Sequence, residues 1–166
     1  MKRKLLCFLI AFPFFTLAQV LTIPDSNFKL KLLQALPTNG IAKNGSGTAI
    51  RVDSNANGEI ETSEAAQVFQ LDVSNTGSAN NAKIVSLNGI HYFTNLRVLN
   101  CNDNLLTTLS VTSLPNLNHL GCQRNKLTNL QVQNSSSLQW LDTSSNLLTG
   151  VNTTGINTLV YLDVSN

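Results

Sequence analysis

Twelve consecutive residues of this chain have the types and spacing of a calcium site: Asp53-Ser54-Asn55-Ala56-Asn57-Gly58-Glu59-Ile60-Glu61-Thr62-Ser63-Glu64. They satisfy the pattern D-x-[DN]-x-[DN]-G-x5-E at every position. Calcium takes about six to eight oxygen ligands. Asp53, Asn55, Asn57, the carbonyl of Glu59, Glu61 through a water and a bidentate Glu64 would supply them, with Gly58 making the sharp turn. With Asn at two ligand positions the charge is low, so the expected dissociation constant is on the order of 10⁻⁴ to 10⁻³ M. The competing reading is an Asn and Gly turn before a helix whose acidic residues lie near its positive end.

A second set, His91, Cys101, His119 and Cys122, has the residue types of a zinc site, and His119 with Cys122 those of a cysteine nucleophile and its base. Whether either set meets depends on the elements that carry it. No GxSxG elbow, phosphate-binding glycine loop or paired catalytic carboxylates occur elsewhere, so the chain is expected not to be an enzyme.

The positioning frame is a repeat of 21 residues. Leu96, Leu99, Cys101, Asn104, Leu106, Leu109, Val111 and Leu114 recur as Leu117, Leu120, Cys122, Asn125, Leu127, Leu130, Val132 and Ser135. The next row is Leu138, Leu141, Thr143, Asn146, Leu148, Val151, Thr153 and Ile156, and another begins at Leu159, Leu162 and Val164. An irregular first row has Leu71, Val73, Ile84, Leu87, Ile90 and Phe93, with an insertion at Asn75 to Lys83. The pattern LxxLxCxxNxLxxLxV resembles the leucine-rich repeat. Over residues 84 to 166 it is most similar to the short-period, internalin-like repeats of secreted bacterial proteins, Bacteroidetes included. That resemblance implies a solenoid with a parallel sheet on its concave face and short turns or irregular structure on its convex face. It also implies that further repeats and a sorting domain follow, so the repeats are expected to be truncated at residue 166.

One row alone cannot bury its Leu residues; stacked rows turn the Leu columns into a continuous core. Asn104, Asn125 and Asn146 should form a ladder, because an amide offers donors and an acceptor where the backbone turns. The column Thr107, Thr128 and Thr149 suits either backbone hydrogen bonding or solvent exposure. Alternation along the strand puts Cys101 and Cys122 in the core and His119 on the opposite face, which separates the zinc and nucleophile sets. Buried reduced thiols are expected. A disulfide between the two is conceivable in a secreted chain, at the cost of a distorted torsion. The residue before each central Leu faces outward, and that column reads Val98, His119, Trp140 and Tyr161. Asn100, Gly121, Asp142 and Asp163 run beside it, with Asn102, Gln123 and Ser144 beyond. Rings flanked by amides and carboxylates suit recognition of a protein or glycan; equally, the rings can simply stack and stabilise the sheet. The candidate ligand-binding set is therefore Asn100, His119, Gln123, Trp140, Asp142, Tyr161 and Asp163.

Residues 19–68 have a different composition and are expected to form a helical cap, which a solenoid needs to cover its first coil. Asp25 or Ser26 caps a helix whose apolar face is Phe28, Leu30, Leu32, Leu33 and Leu36, stopped by Pro37 and Gly40. A second helix should begin near Thr62 and contain Ala65, Ala66 and Val68. Gly45 and Gly47 interrupt any helix entering the loop 53–64, which therefore resembles an isolated EF-hand-type or dockerin-like site rather than a paired EF-hand.

Residues 1–18 read as a signal peptide: Lys2, Arg3 and Lys4, an apolar run from Leu5 to Leu17, and Thr16 and Ala18 before a cut ahead of Gln19. The run is shorter than the roughly 20 apolar residues of a spanning helix, and Pro13 interrupts it. Cys7 lies too early to accept a lipid. The leader holds three of the 11 basic residues and none of the nine acidic ones, leaving eight against nine over residues 19–166. No basic patch suited to nucleic acid remains. The expectation is a secreted or cell-surface module that binds an extracellular protein or glycan without catalysis. The alternatives are a spacer or adhesin stalk and a non-catalytic part of a larger extracellular enzyme.

Overall fold

The structure is a computed structural model that describes residues 19–77 and 79–165. The leader expected over residues 1–18, with its cut after Ala18, lies outside them. The expected leucine-rich repeat solenoid forms, each row contributing one short strand to a main sheet. β2 (Gln70–Asp72), β3 (Val98–Asn100), β5 (His119–Gly121), β7 (Trp140–Asp142) and β8 (Tyr161–Asp163) run parallel in that order. The register aligns Leu71, Leu99, Leu120, Leu141 and Leu162. The first four are fully buried, while Leu162 is 45% exposed, with no coil beyond it among the described residues.

The Asn ladder forms as expected. Asn104 Nδ2 donates to the carbonyls of Val73, Cys101 and Asn102, and its Oδ1 accepts from the Ile84 amide at 2.9 Å. Asn125 and Asn146 repeat this one and two coils on, accepting from the amides of Leu106 and Leu127. Each amide thus ties two successive turns together. In the irregular first coil Asn75 donates to Asn104 Oδ1 at 2.8 Å and starts the ladder. The inserted residues include a 3₁₀ turn at Asn80–Ala82. The Thr column is exposed; Thr128 Oγ1 donates to the Thr107 carbonyl at 3.3 Å. Ser135 sits in the column of Leu114 and Ile156, and its buried hydroxyl has no partner among the described residues.

The convex side is more regular than expected. β4 (Thr108–Ser110) and β6 (Asn129–Gln131) form a second, two-stranded parallel sheet, extended by a bridge between Gln131 and Asn152. The reason is alternation within the segment: Leu109 and Leu130 point inward between exposed neighbours, so the backbone is extended and pairs with the next coil.

α1 (Ser26–Leu33) begins at Asp25, whose Oδ1 accepts from the amides of Asn27 and Phe28, both at 2.9 Å. Its buried residues are Phe28 and Leu32, with Ala35 buried just past its end; Leu30 lies off that side and is 51% exposed, and Leu36 lies beyond the helix, which corrects the expected apolar face. Positions 28, 32 and 35 follow the helical period, whereas residue 30 falls on the opposite side. The second helix, α2 (Thr62–Ala65), is a single turn and ends before Val68. β1 (Ala42–Lys43) pairs antiparallel with β2, so the cap covers the first edge of the sheet. Cap and repeats share one core running from Leu21 to Leu141. Among the described residues no helix is long and apolar enough to cross a membrane.

Candidate functional site

Period-two alternation in each strand places the side chains flanking the buried Leu on the outward face of the main sheet. There the repeat register brings His119, Trp140 and Tyr161 into one column. His119 and Trp140 are stacked at 3.9 Å between centroids and 1° between planes, and Trp140 and Tyr161 at 5.0 Å and 7°. His119 and Trp140 are half-buried and Tyr161 is exposed. Burial holds the His119 imidazole below its ordinary pKa against the opposing pull of Asp142. Lost hydration, then the Asp163 and Asp142 carboxylates, push the Tyr161 phenol up.

The second column is Asp72, Asn100, Gly121, Asp142 and Asp163. Its aspartates share a device that sequence reasoning overlooked, although the spacing D-x-S at residues 72–74, 142–144 and 163–165 displays it. In each, Oδ1 accepts from the amide of the Ser two residues on, at 2.9 Å. The Ser74 and Ser144 hydroxyls donate to the same oxygens. These bonds pin one oxygen of each carboxylate, and the Ser165 amide bond is the main reason the Asp163 pKa lies low. Asp142 is only 7% exposed, less than its place on the face suggests. Gly121 leaves room for Asn102, whose Oδ1 accepts from the Gln123 amide at 2.9 Å. The Gln123 carboxamide is turned to Arg124, which also forks onto Asp103 at 2.6 and 2.8 Å. That pairing holds the Asp103 carboxyl below its ordinary pKa.

In the loop 53–64 the expected side chains do converge. Asp53 is buried and accepts from the amides of Asn57 and Gly58 at 3.1 and 3.0 Å. Gly58 (φ +81°) turns the chain, and Ala56 also takes a positive φ of 58°. Asn57 Nδ2 donates to Glu61 at 2.7 Å, and Asn55 Nδ2 lies 3.4 Å from the same carboxylate. Glu64 reaches back across the loop, accepting from the Ser54 amide at 2.7 Å and from the Glu61 amide at 3.1 Å. The Glu59 side chain points elsewhere, onto Lys29 at 2.7 Å. As arranged, these oxygens are engaged by the loop's own donors. Among the described residues no three His, Cys, Asp or Glu side chains are grouped to hold a metal ion.

The zinc and nucleophile sets do not assemble. Cys101 and Cys122 are fully buried free thiols, while His119 lies on the other face of the sheet. Cys101 Sγ donates to the Gly121 carbonyl and Cys122 Sγ to that of Asp142, at 3.3 and 3.5 Å. Thr143 Oγ1 continues the column by donating to the Asp163 carbonyl at 3.2 Å. Burial raises both thiol pKa values, that of Cys122 to about 12, so neither is a thiolate nucleophile at neutral pH.

No protein-family model matches the sequence, and no curated protein matches it. Solved structures do. The functional domain of InlJ from Listeria monocytogenes, described as including a cysteine ladder, superposes with a TM-score of 0.66 at 28% identity, over 88% of this chain and 28% of that one. An internalin, InlF, from the same species superposes with a TM-score of 0.57 at 24% identity, over 83% of this chain and 36% of that one. The chain thus spans about a third or less of the length of these structures. By its own geometry and by this likeness, the chain is a leucine-rich repeat solenoid with the fold of the internalins.

Proposed function

We propose that this chain is a non-catalytic recognition module, secreted or held at the cell surface, that binds an extracellular protein or glycan through the outward face of its main sheet. The observation that carries this reading is the stack of His119, Trp140 and Tyr161 beside carboxylates whose orientation is already set by backbone bonds. Pre-ordered aromatic and polar groups lose little freedom on binding, and Trp and Tyr are enriched at binding hot spots. The internalin-like fold supports protein binding, and the leader read in residues 1–18 supports export. The test is Trp140→Ala with Tyr161→Ala, screened against arrays of surface proteins and glycans. Binding lost with little change in melting is the expected result. Melting lowered with binding retained would leave the rings a structural device and favour the stalk.

The loop 53–64 carries a second assignment, weak calcium binding in the cap through Asp53, Asn55, Asn57, the Glu59 carbonyl, Glu61 and Glu64. Its support is the complete motif together with the convergence of the buried residues Asp53, Glu61 and Glu64 within the twelve-residue loop.

A further inference from the structure

The rings leave little of their faces to a ligand. With His119 and Trp140 parallel at 3.9 Å, and Trp140 and Tyr161 at 5.0 Å, the faces between them are covered by one another. A sugar ring binds by laying its C–H groups on the electron-rich face of an aromatic ring; here both faces of Trp140 are covered, and the stack offers ring edges along its length and a free face only at its two ends, His119 and Tyr161. Edges offer apolar contact without the face.

Charge beside the stack is one-sided. Residues 127–166 contain no Lys, Arg, His or Glu, and their two charged side chains are Asp142 and Asp163. These are direct register partners on β7 and β8, about 4.8 Å apart. Like charges opposite one another on neighbouring strands repel. Arg124 is already engaged with Asp103. In each aspartate Oδ1 is held by the following Ser amide, while Oδ2 of Asp163 meets only the Tyr161 hydroxyl, at a long 3.4 Å. Oδ2 of Asp142 has no bond among the described residues.

We infer that the face around Trp140, Asp142, Tyr161 and Asp163 takes a basic polypeptide segment of a partner protein, whose arginine heads meet the two carboxylates while their methylene stems lie along the ring edges. This rests on the recognition reading above and narrows it from protein or glycan to a cationic protein surface. The two columns run side by side, apolar and then anionic, which matches a side chain with an apolar stem and a charged tip. Arginine suits the paired carboxylates better than lysine, since its planar fork donates to two oxygens at once and it is more weakly hydrated.

Trp140 is the single tryptophan of the chain, so its fluorescence reports on the site directly. The full chain is titrated with hexa-arginine, hexa-glutamate and the neutral hexasaccharide cellohexaose at low salt. A saturable change with hexa-arginine alone is expected, weakened at least about fivefold in Asp163→Asn and further in Asp142→Asn with Asp163→Asn, and suppressed by salt. Asn preserves the acceptor that the Ser amides use, and melting of each variant checks the fold. No response to hexa-arginine, an undiminished response in the double variant, or saturation by cellohexaose instead would overturn the inference. The same variants separate it from the broader reading. Binding to an array partner that is lost in Trp140→Ala with Tyr161→Ala but kept in the Asn pair removes the basic partner and retains recognition. Binding kept in both removes the recognition face itself.

Discussion

The Asp25 carboxylate accepts from the Val85 amide at 2.8 Å across 60 residues of sequence. Its Oδ2 also takes the Ser86 amide at 2.8 Å, while Oδ1 caps α1 through Asn27 and Phe28. One buried side chain therefore joins the start of the cap helix to the first coil.

Replacing Asp25 by Ala should cost more than an ordinary helix cap, whose loss costs about 0.5–2 kcal/mol. Four amides lose a charged acceptor, two of them in the coil, and hydrogen bonds to charged groups contribute about 1.5–3 kcal/mol each. Chemical denaturation should show a loss of at least about 3 kcal/mol, with increased hydrogen exchange at Val85 and Ser86. A loss confined to the helix, with exchange at Val85 unchanged, would show that the bridge does not couple cap to coil.

Asn146→Ala should destabilise more than Asn125→Ala. Asn146 is buried and bonds Cys122, Thr143, Ser144 and Leu127, whereas Asn125 is half-buried and water can replace its bonds. About 3 kcal/mol against about 1–2 kcal/mol is expected from the difference in desolvation of the orphaned groups. Equal losses would mean that the ladder acts through the unfolded chain rather than through burial.

The thiols set an alkaline limit to stability. In the unfolded chain Cys122 titrates near 9.0, and in the folded chain near 12. Its contribution is fully present below the lower value and is lost as pH rises through the upper one. Melting temperature should fall more steeply from pH 9 upward in the native protein than in Cys122→Ala. At pH 8 an alkylating reagent should label Cys101 and Cys122 only after denaturant is added. Ready labelling of the folded protein would contradict their burial.

Calcium should stabilise the cap if the loop binds it. A ligand specific to the folded state adds about 1.4 kcal/mol at ten times its dissociation constant. The melting point should rise with millimolar calcium in the native protein and stay flat in Asp53→Asn with Glu64→Gln. An equal rise in both, or none in either, leaves the loop an Asn and Gly turn.

Some of this architecture was written in the spacing of residues. The Leu columns, the Asn ladder and the stacked His119, Trp140 and Tyr161 all recur with the repeat. A fixed period states which residues become neighbours one coil later, so a linear pattern already contains the contact. The D-x-S pins were equally visible, but their role depends on which face the strand turns outward. Other features belong to the tertiary structure alone. Asp103, Arg124 and Ser145 turn the chain at φ 58°, 52° and 55° without a glycine to announce it. That conformation is costly for side-chain-bearing residues, and the hydrogen bonds from the adjoining coils hold it there. The exposure of Leu30, the burial of Asp142 and the bond from Val85 to Asp25 likewise depend on how separated segments dock. Periodicity describes the contacts that repeat; the cap and the irregular first coil meet only once, so their contacts have no period to read.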